Sequence, residues 1–289
     1  MDVTNRIERA LGQALGAADE IGCPPRLSAA MRAAVFPRGA RVRPRLCHAV
    51  ASACGDDEPA ATDAAAAAIE LLHCASLVHD DLPCFDDAAT RRGRPSVHAA
   101  FGEPLAVLAG DALIVLAFQS MARTSCSSRR LIKLISTVGS AVGVPHGIVA
   151  GQAWECEDKI DLSHYHRSKT GALFAAATIC GAAAAGQDDI DAWRAIGEKI
   201  GEAYQVADDI ADAASDEQET GKPVGKDASL GRPSAVLRYG LTGAISHLHD
   251  LVAEGIRAMP PCANAHELRA LMEQEAKRLV PKRLAQSAA

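Results

Sequence analysis

Ala68-Ile69-Glu70-Leu71-Leu72-His73-Cys74-Ala75-Ser76-Leu77-Val78-His79-Asp80-Asp81-Leu82-Pro83-Cys84-Phe85-Asp86-Asp87 is the stretch from which the rest of the chain is read. Up to Val78 it is a mostly apolar run with helical spacing, and Pro83 should stop that helix near Asp81 or soon after. Four carboxylates then crowd the C-terminal end of a buried helix, where the peptide dipoles already point negative. Such a group calls for cations, and hard oxygen ligands at this density suit Mg²⁺ bridging to substrate phosphates. A solvated acidic turn is the plain alternative. A phosphohydrolase built on His79 and Asp80 is another, but the further His and Asp ligands it needs cannot be assembled.

Downstream, Asp208-Asp209-Ile210-Ala211-Asp212 lies in a second helical pattern. Asp208 and Asp212 are four apart, so they share a face, with Asp209 beside them. A cation bridging them to a phosphate would reverse their repulsion; a solvent-facing acidic stripe is the alternative. Basic residues flanked by Gly and Pro supply the counterpart: Arg41 and Arg43, Arg91-Arg92, Lys169 leading into a Gly/Ala-rich stretch, and Lys222, Lys226 and Arg232 after the second acidic cluster. Arg grips phosphate oxygens with a planar fork and Lys as a point charge. Singly each reads as a surface cation; together with the carboxylates they suggest diphosphate substrates.

The bulk numbers agree with an all-α enzyme. Of 289 residues 48% are apolar but only 3% aromatic, so the core must be built from Ala, Leu, Val and Ile. Ala is also the best helix former. A net charge of −6 argues against a nucleic-acid binder. Nine cysteines without a CxxC pair indicate neither a disulfide framework nor a zinc site, but small core residues in a reducing, cytoplasmic setting. The N-terminus is charged and amphipathic, unlike a signal peptide, and Thr170–Gln187 is too poor in large apolar residues for a membrane helix and reads as a buried one. Helical periodicity places helices at roughly 4–18, 27–36, 43–54, 61–80, 104–123, 128–142, 145–155, 163–186, 188–213, 233–257 and 264–284, broken by Pro and Gly. No linker or repeat divides residues 1–289, so one catalytic domain is expected.

These features together resemble the trans-isoprenyl diphosphate synthase family, in motifs spread over roughly residues 38 to 240. HCASLVHDDLPCFDDAATRRG (73–93) resembles the first Asp-rich motif in its bacterial form, and YQVADDIADAASDEQETGK (204–222) the second with its trailing lysine. FGEPLAVLAGDAL (101–113), AGQAWE (150–155) and HRSKTGALF (166–174) resemble the intervening segments. Among subfamilies the likeness is greatest to bacterial geranylgeranyl diphosphate synthases. The resemblance implies an antiparallel helical bundle around a central cavity, with Asp80 and Asp86 facing Asp208 and Asp212 across its mouth. It implies three Mg²⁺ ions there, with Asp81 and Asp209 in support. Arg91, Lys169 and Lys222 would contact the allylic diphosphate. Arg43, His73 and Arg92 would hold isopentenyl diphosphate. Thr170 and Gln205 would stabilise the allylic cation, and Arg232 stands where the family has a second lysine. Small residues at Ala75 and Ser76 imply a deep cavity floor and a C20 product; farnesyl or longer-chain synthesis is the alternative. A terpene cyclase and a non-catalytic partner subunit are disfavoured by the intact paired motifs. The family's usual Gly-Gly-Lys-Arg-x-Arg-Pro reads Arg38-Gly39-Ala40-Arg41-Val42-Arg43-Pro44, with Arg38 and Arg41 the candidates to compensate for Ala40. A homodimer is expected, with 104–122 as the candidate face.

Overall fold

The structure is a computed structural model and describes residues 2–36, 39–159, 162–214 and 234–279. Arg38, Lys222, Lys226, Arg232 and the last ten residues lie outside them.

Thirteen α-helices are described. They are α1 (Val3–Ala14), α2 (Pro25–Val35), α3 (Val42–Cys54), α4 (Pro59–Asp80), α5 (Val97–Phe101), α6 (Glu103–Ala122), α7 (Ser128–Val142), α8 (Ile148–Ala153), α9 (Leu162–His166), α10 (Ala172–Ala184), α11 (Arg194–Ala214), α12 (Ala235–Arg257) and α13 (Ala265–Leu279). A π-helical turn, Arg167–Gly171, joins α9 to α10. Among the described residues the expected helices are present with ends shifted by a few residues, except that 163–186 is divided into α9, the π turn and α10, and the end of the 264–284 helix lies outside the described residues. The differences lie between them. A two-strand hairpin, β1 (Thr90–Arg91) and β2 (Arg94–Pro95), and the five-residue α5 follow the first acidic cluster, where only a break was expected. Arg92 (φ 53°) and Gly93 (φ 72°) make its turn; positive φ at both central residues is the geometry of a two-residue hairpin loop. Gly240, at φ 68°, breaks the helical backbone inside α12, so the expected continuous 233–257 helix is two pieces meeting at a kink.

The centre is α10, in which every residue from Leu173 to Ala184 is buried. Its sequence, ALFAAATICGAAA, has no polar face because α3, α4, α7 and α11 surround it. Small side chains let these helices approach closely: a Cβ on Gly181 would come within 2.4 Å of the Cys47 carbonyl oxygen on α3. One hydrophobic cluster runs from Ile7 in α1 to Ala276 in α13. Two helices, α4 and α6, are long and apolar enough to cross a membrane by length and composition. For α4, 72% of that apolar window is buried inside the bundle, as in a core helix.

The N-terminal helices are locked on by one buried cation. Arg41 has a left-handed backbone at the start of α3 (φ 51°). Its guanidinium donates to Glu8 at 2.9 Å, Glu70 at 2.7 Å and the Val35 carbonyl at 2.8 Å, tying α1, α2 and α4 together. Burial alone would lower its pKa, but the two carboxylates outweigh that and raise it. Arg41 is thus committed to the scaffold and does not compensate for Ala40: its donors are engaged by Glu8 and Glu70 in the core. Truncating Arg41 leaves Glu70 as an uncompensated buried charge, a loss of about 3–5 kcal/mol. Arg41→Ala is expected to lower the melting temperature by several degrees or more, on the scale of ~2–4 °C per kcal/mol. A thermal unfolding curve unchanged from wild type would remove this clamp.

Candidate active site

Helix α4 ends at Asp80, just short of Pro83, and the chain then folds back over the helix end. Asp86 N–H donates to the Asp80 carbonyl at 3.0 Å, Asp87 N–H to Leu82 at 3.1 Å and Ala88 N–H to Asp81 at 3.1 Å. This tight loop satisfies carbonyls that the helix leaves open and keeps the acidic residues together at one end of the bundle. Asp80 is half-buried and Asp86 exposed. Asp81 turns inward, is 3% exposed, and accepts from Arg91 Nε at 2.9 Å and from its terminal nitrogen as well. The hairpin β1–β2 therefore delivers Arg91 onto the first acidic cluster.

The second cluster lies on α11. Asp208 is exposed, Asp212 half-buried and Asp209 6% exposed. Asp209 accepts from Gln205 Nε2 at 3.2 Å, one turn earlier, and from the Ala235 N–H at 2.7 Å, at the start of α12. A carboxylate at a helix N-terminus satisfies both an open donor and the dipole.

The π turn joins the two clusters. Lys169 Nζ donates to Asp80 Oδ1 at 3.2 Å, and the next residue, Thr170, donates through Oγ1 to Gln205 Oε1 at 3.1 Å. Two neighbours in sequence thus reach helices on opposite sides, because the extra residue of the π turn changes the direction of successive side chains; such turns recur at functional sites. Three residues absent from the expected site hold Lys169. Glu155 Oε1 accepts from Lys169 at 2.6 Å and from Tyr165 OH at 2.6 Å, while Gln152 Nε2 donates to Glu155 Oε2 at 2.9 Å. The signal for Gln152 and Glu155 lay in the AGQAWE segment, whose spacing places them together just after Gly151. A Cβ on Gly151 would meet the Lys169 backbone nitrogen at 2.4 Å, so α8 needs glycine to lie against the turn. Burial pulls the Lys169 pKa down, but Asp80, Tyr165 and Glu155 together hold it above its ordinary value.

On the other wall are arginines. His73, one helix face with Asp80, has its pKa pushed well below the ordinary value by burial and by Arg43, Arg92, Arg91 and Arg41. Its charged form is disfavoured there, beside a concentration of positive charge that fits an anion. The Arg92 guanidinium lies against Gly39, where a Cβ would come within 2.7 Å of it. Arg43 is half-buried and its Nε is buried without a hydrogen-bond partner. An orphaned cationic donor of this kind fits a phosphate oxygen. Ala75 is buried, and Ser76 is half-buried with its hydroxyl donating to the His73 carbonyl at 2.8 Å. At about 100° per residue Ser76 lies roughly 40° from Asp80 around α4, and Ala75 roughly 140°.

No three His, Cys, Asp or Glu side chains among the described residues converge into a ready metal cage. The donor set still suits Mg²⁺, which takes one or two carboxylates and completes its octahedron with water and substrate phosphate.

A helical bundle with two carboxylate clusters and a wall of arginines is the architecture of a prenyltransferase acting on diphosphates. The chain belongs to the polyprenyl synthetase family, whose model matches residues 24–267. It is similar to the geranylgeranyl diphosphate synthases of Cereibacter sphaeroides, 49% identical over 99% of both chains, and of Rhodobacter capsulatus, 49% identical over 97% of both. Among solved structures it resembles the geranylgeranyl pyrophosphate synthetase of Pyrococcus horikoshii, with a TM-score of 0.80 and 27% identity over 97% of this chain and 98% of that one. It also resembles a geranyltransferase of Helicobacter pylori, complexed with magnesium and isoprenyl diphosphate, with a TM-score of 0.79 and 31% identity over 96% of each chain.

Proposed function

We propose that this enzyme condenses isopentenyl diphosphate with allylic diphosphates in the presence of Mg²⁺ and releases geranylgeranyl diphosphate, C20. The observation that carries the reading is the pair Lys169 and Thr170, which links Asp80 of the first carboxylate cluster, through Gln205, to Asp209 of the second. The near full-length likeness to two geranylgeranyl diphosphate synthases supports the product.

In this reading Asp80, Asp86, Asp208 and Asp212 would hold three Mg²⁺ ions at the allylic diphosphate, and Asp81 and Asp209 keep the two clusters in place. Bound there, Mg²⁺ would offset part of the charge of the departing diphosphate. Lys169, Arg91 and Lys222 take up the rest as the carbon–oxygen bond breaks and its electron pair leaves with the diphosphate; Arg232 adds a further cation. Thr170 and Gln205 turn their oxygens toward the allylic cation that remains. The apolar walls of α4 and α10 keep water from it. Arg43, His73 and Arg92 fix isopentenyl diphosphate so that its double bond faces the cation. The new carbon–carbon bond forms, and the proton then lost goes to the released diphosphate. Asp80→Ala and Asp208→Ala are each expected to abolish most turnover with the helical circular-dichroism signal retained. Near-normal activity in either variant refutes the metal role.

Product length is set below the clamp, on α4. Ser76 is about 6 Å and Ala75 about 7.5 Å from Asp80 along the axis, at 1.5 Å per residue. Ser76 lies on the face of Asp80 and His73; Ala75 lies toward the face of His79, whose ring packs on Gly110 of α6. Small residues at both places leave room for the C15 tail to take one more unit. Ala75→Phe or Ala75→Tyr, and likewise Ser76→Phe, should shift the main product from C20 to C15 with the first condensation largely intact. A predominantly C20 product from the aromatic variants at both positions places the floor elsewhere.

The enzyme acts as a homodimer through α6. One side of this helix packs on α4, with Ala106, Gly110, Leu113 and Ala117 buried. The other leaves Val107, Leu108 and Val115 41%, 52% and 54% exposed. An apolar stripe of that kind on a helix marks an interface. Light scattering at micromolar concentration should give twice the 30.1 kDa chain mass. A monomer removes this assignment, and Leu108→Glu should shift the population toward monomer.

A further inference from the structure

The arginines of this site are held in two different ways. Arg41 and Arg91 are each gripped by carboxylates, Glu8 and Glu70 in one case and Asp81 in the other. Arg43 has no carboxylate partner among the described residues; its guanidinium carbon lies 4.3 Å from the centroid of the Phe174 ring. Phe174 is fully buried at the start of α10, about one turn from its centre. Behind it stands Tyr204 of α11, with ring centroids 4.8 Å apart and planes tilted by 33°. The Tyr204 hydroxyl donates to Glu275 Oε2 of α13 at 3.4 Å, and Glu275 is held in turn by Arg45 at 2.7 Å. Gly201 makes room for the ring: a Cβ there would come 3.3 Å from that of Phe174.

The two kinds of support have different consequences for an anion. A carboxylate occupies the N–H edges of a guanidinium, and an incoming phosphate must displace it. An aromatic ring holds the guanidinium by its flat face and leaves the edges open. Arg43 shows this state directly, for its Nε is buried and unpaired.

We propose that Phe174 is a substrate-positioning residue: its ring, backed by Tyr204, holds the face of Arg43 and presents the guanidinium edge to the diphosphate of isopentenyl diphosphate. This rests on the reading of Arg43 as a contact to that substrate. Phe174→Leu keeps an apolar side chain of similar size and removes the π face. It should raise KM for isopentenyl diphosphate about tenfold, equivalent to about 1.4 kcal/mol, within the range of a desolvated cation–π contact. The KM for the allylic diphosphate and kcat should stay within about threefold.

A double-mutant cycle separates positioning from a merely structural role. Arg43→Ala should raise the same KM at least as much, and Phe174→Leu added to it should raise it no more than about twofold further. Tyr204→Leu, which spares Phe174, should move the same KM in the same direction by a smaller factor. It serves in place of Phe174→Leu in the cycle if that variant does not fold. Multiplicative effects of the two substitutions, with Arg43→Ala itself impaired, overturn the positioning role alone. An unchanged KM in Arg43→Ala overturns the reading of Arg43 and the proposal with it.

Discussion

The Lys169 ammonium, lodged between Asp80 and Glu155, settles a conflict that the bundle creates for itself. Asp80 closes α4, where the helix dipole makes a carboxylate unfavourable, and Glu155 comes down on the same corner from the end of α8. Without a cation between them the two carboxylates repel across a partly desolvated gap, where charges are screened far less than in water. The lysine cannot be supplied by a regular helix, because the same segment must also feed Thr170 to Gln205 on the far side. The π turn resolves this by changing the direction of its side chains just before α10 becomes buried on every face.

Much of this order is visible before any coordinates. The helices are legible because Ala and Leu recur at helical spacing and Pro and Gly mark the ends; Pro83 stops α4 within a few residues of where its ring demands. The acidic clusters are legible because carboxylates in such numbers are out of place at the end of an apolar run. Arg41 and Arg43 show where the sequence stops speaking. Two residues apart in one motif, they look alike. One proves to clamp α1, α2 and α4, because the left-handed backbone at Arg41 turns its side chain inward, and the other lies over the Phe174 ring. Nothing in residue type or spacing announces such a conformation. The π turn is hidden for the same reason, since RSKTG carries no signal against an α-helix. The hairpin after Ala89 escapes notice because two-residue strands are too short to alternate, although Arg92-Gly93 is a turn pair.

The scarcity of aromatic residues is itself informative. Five Phe, three Tyr and two Trp serve 289 residues, so the core is closed by Ala and Gly contacts between helix backbones. Of these rings, Trp193 and Phe174 are the two buried in that core. Yet Phe174, Tyr204 and Tyr165 gather at the site, where Phe174 lies under Arg43, Tyr204 backs it and Tyr165 shares Glu155 with Lys169.

That distribution fits what the proposed site must hold. A carboxylate beside every cation would make the site electrically quiet and leave little attraction for a diphosphate. Cations without any support would be mobile, and their ordering would weaken binding. Rings and shared hydrogen bonds steady a cation without neutralising it. Burial first, and then the four arginines near it, hold the His73 pKa well below its ordinary value. The compensating charge is left for the substrate to bring, and the small-residue bundle is the rigid frame that keeps these like charges close together until it does.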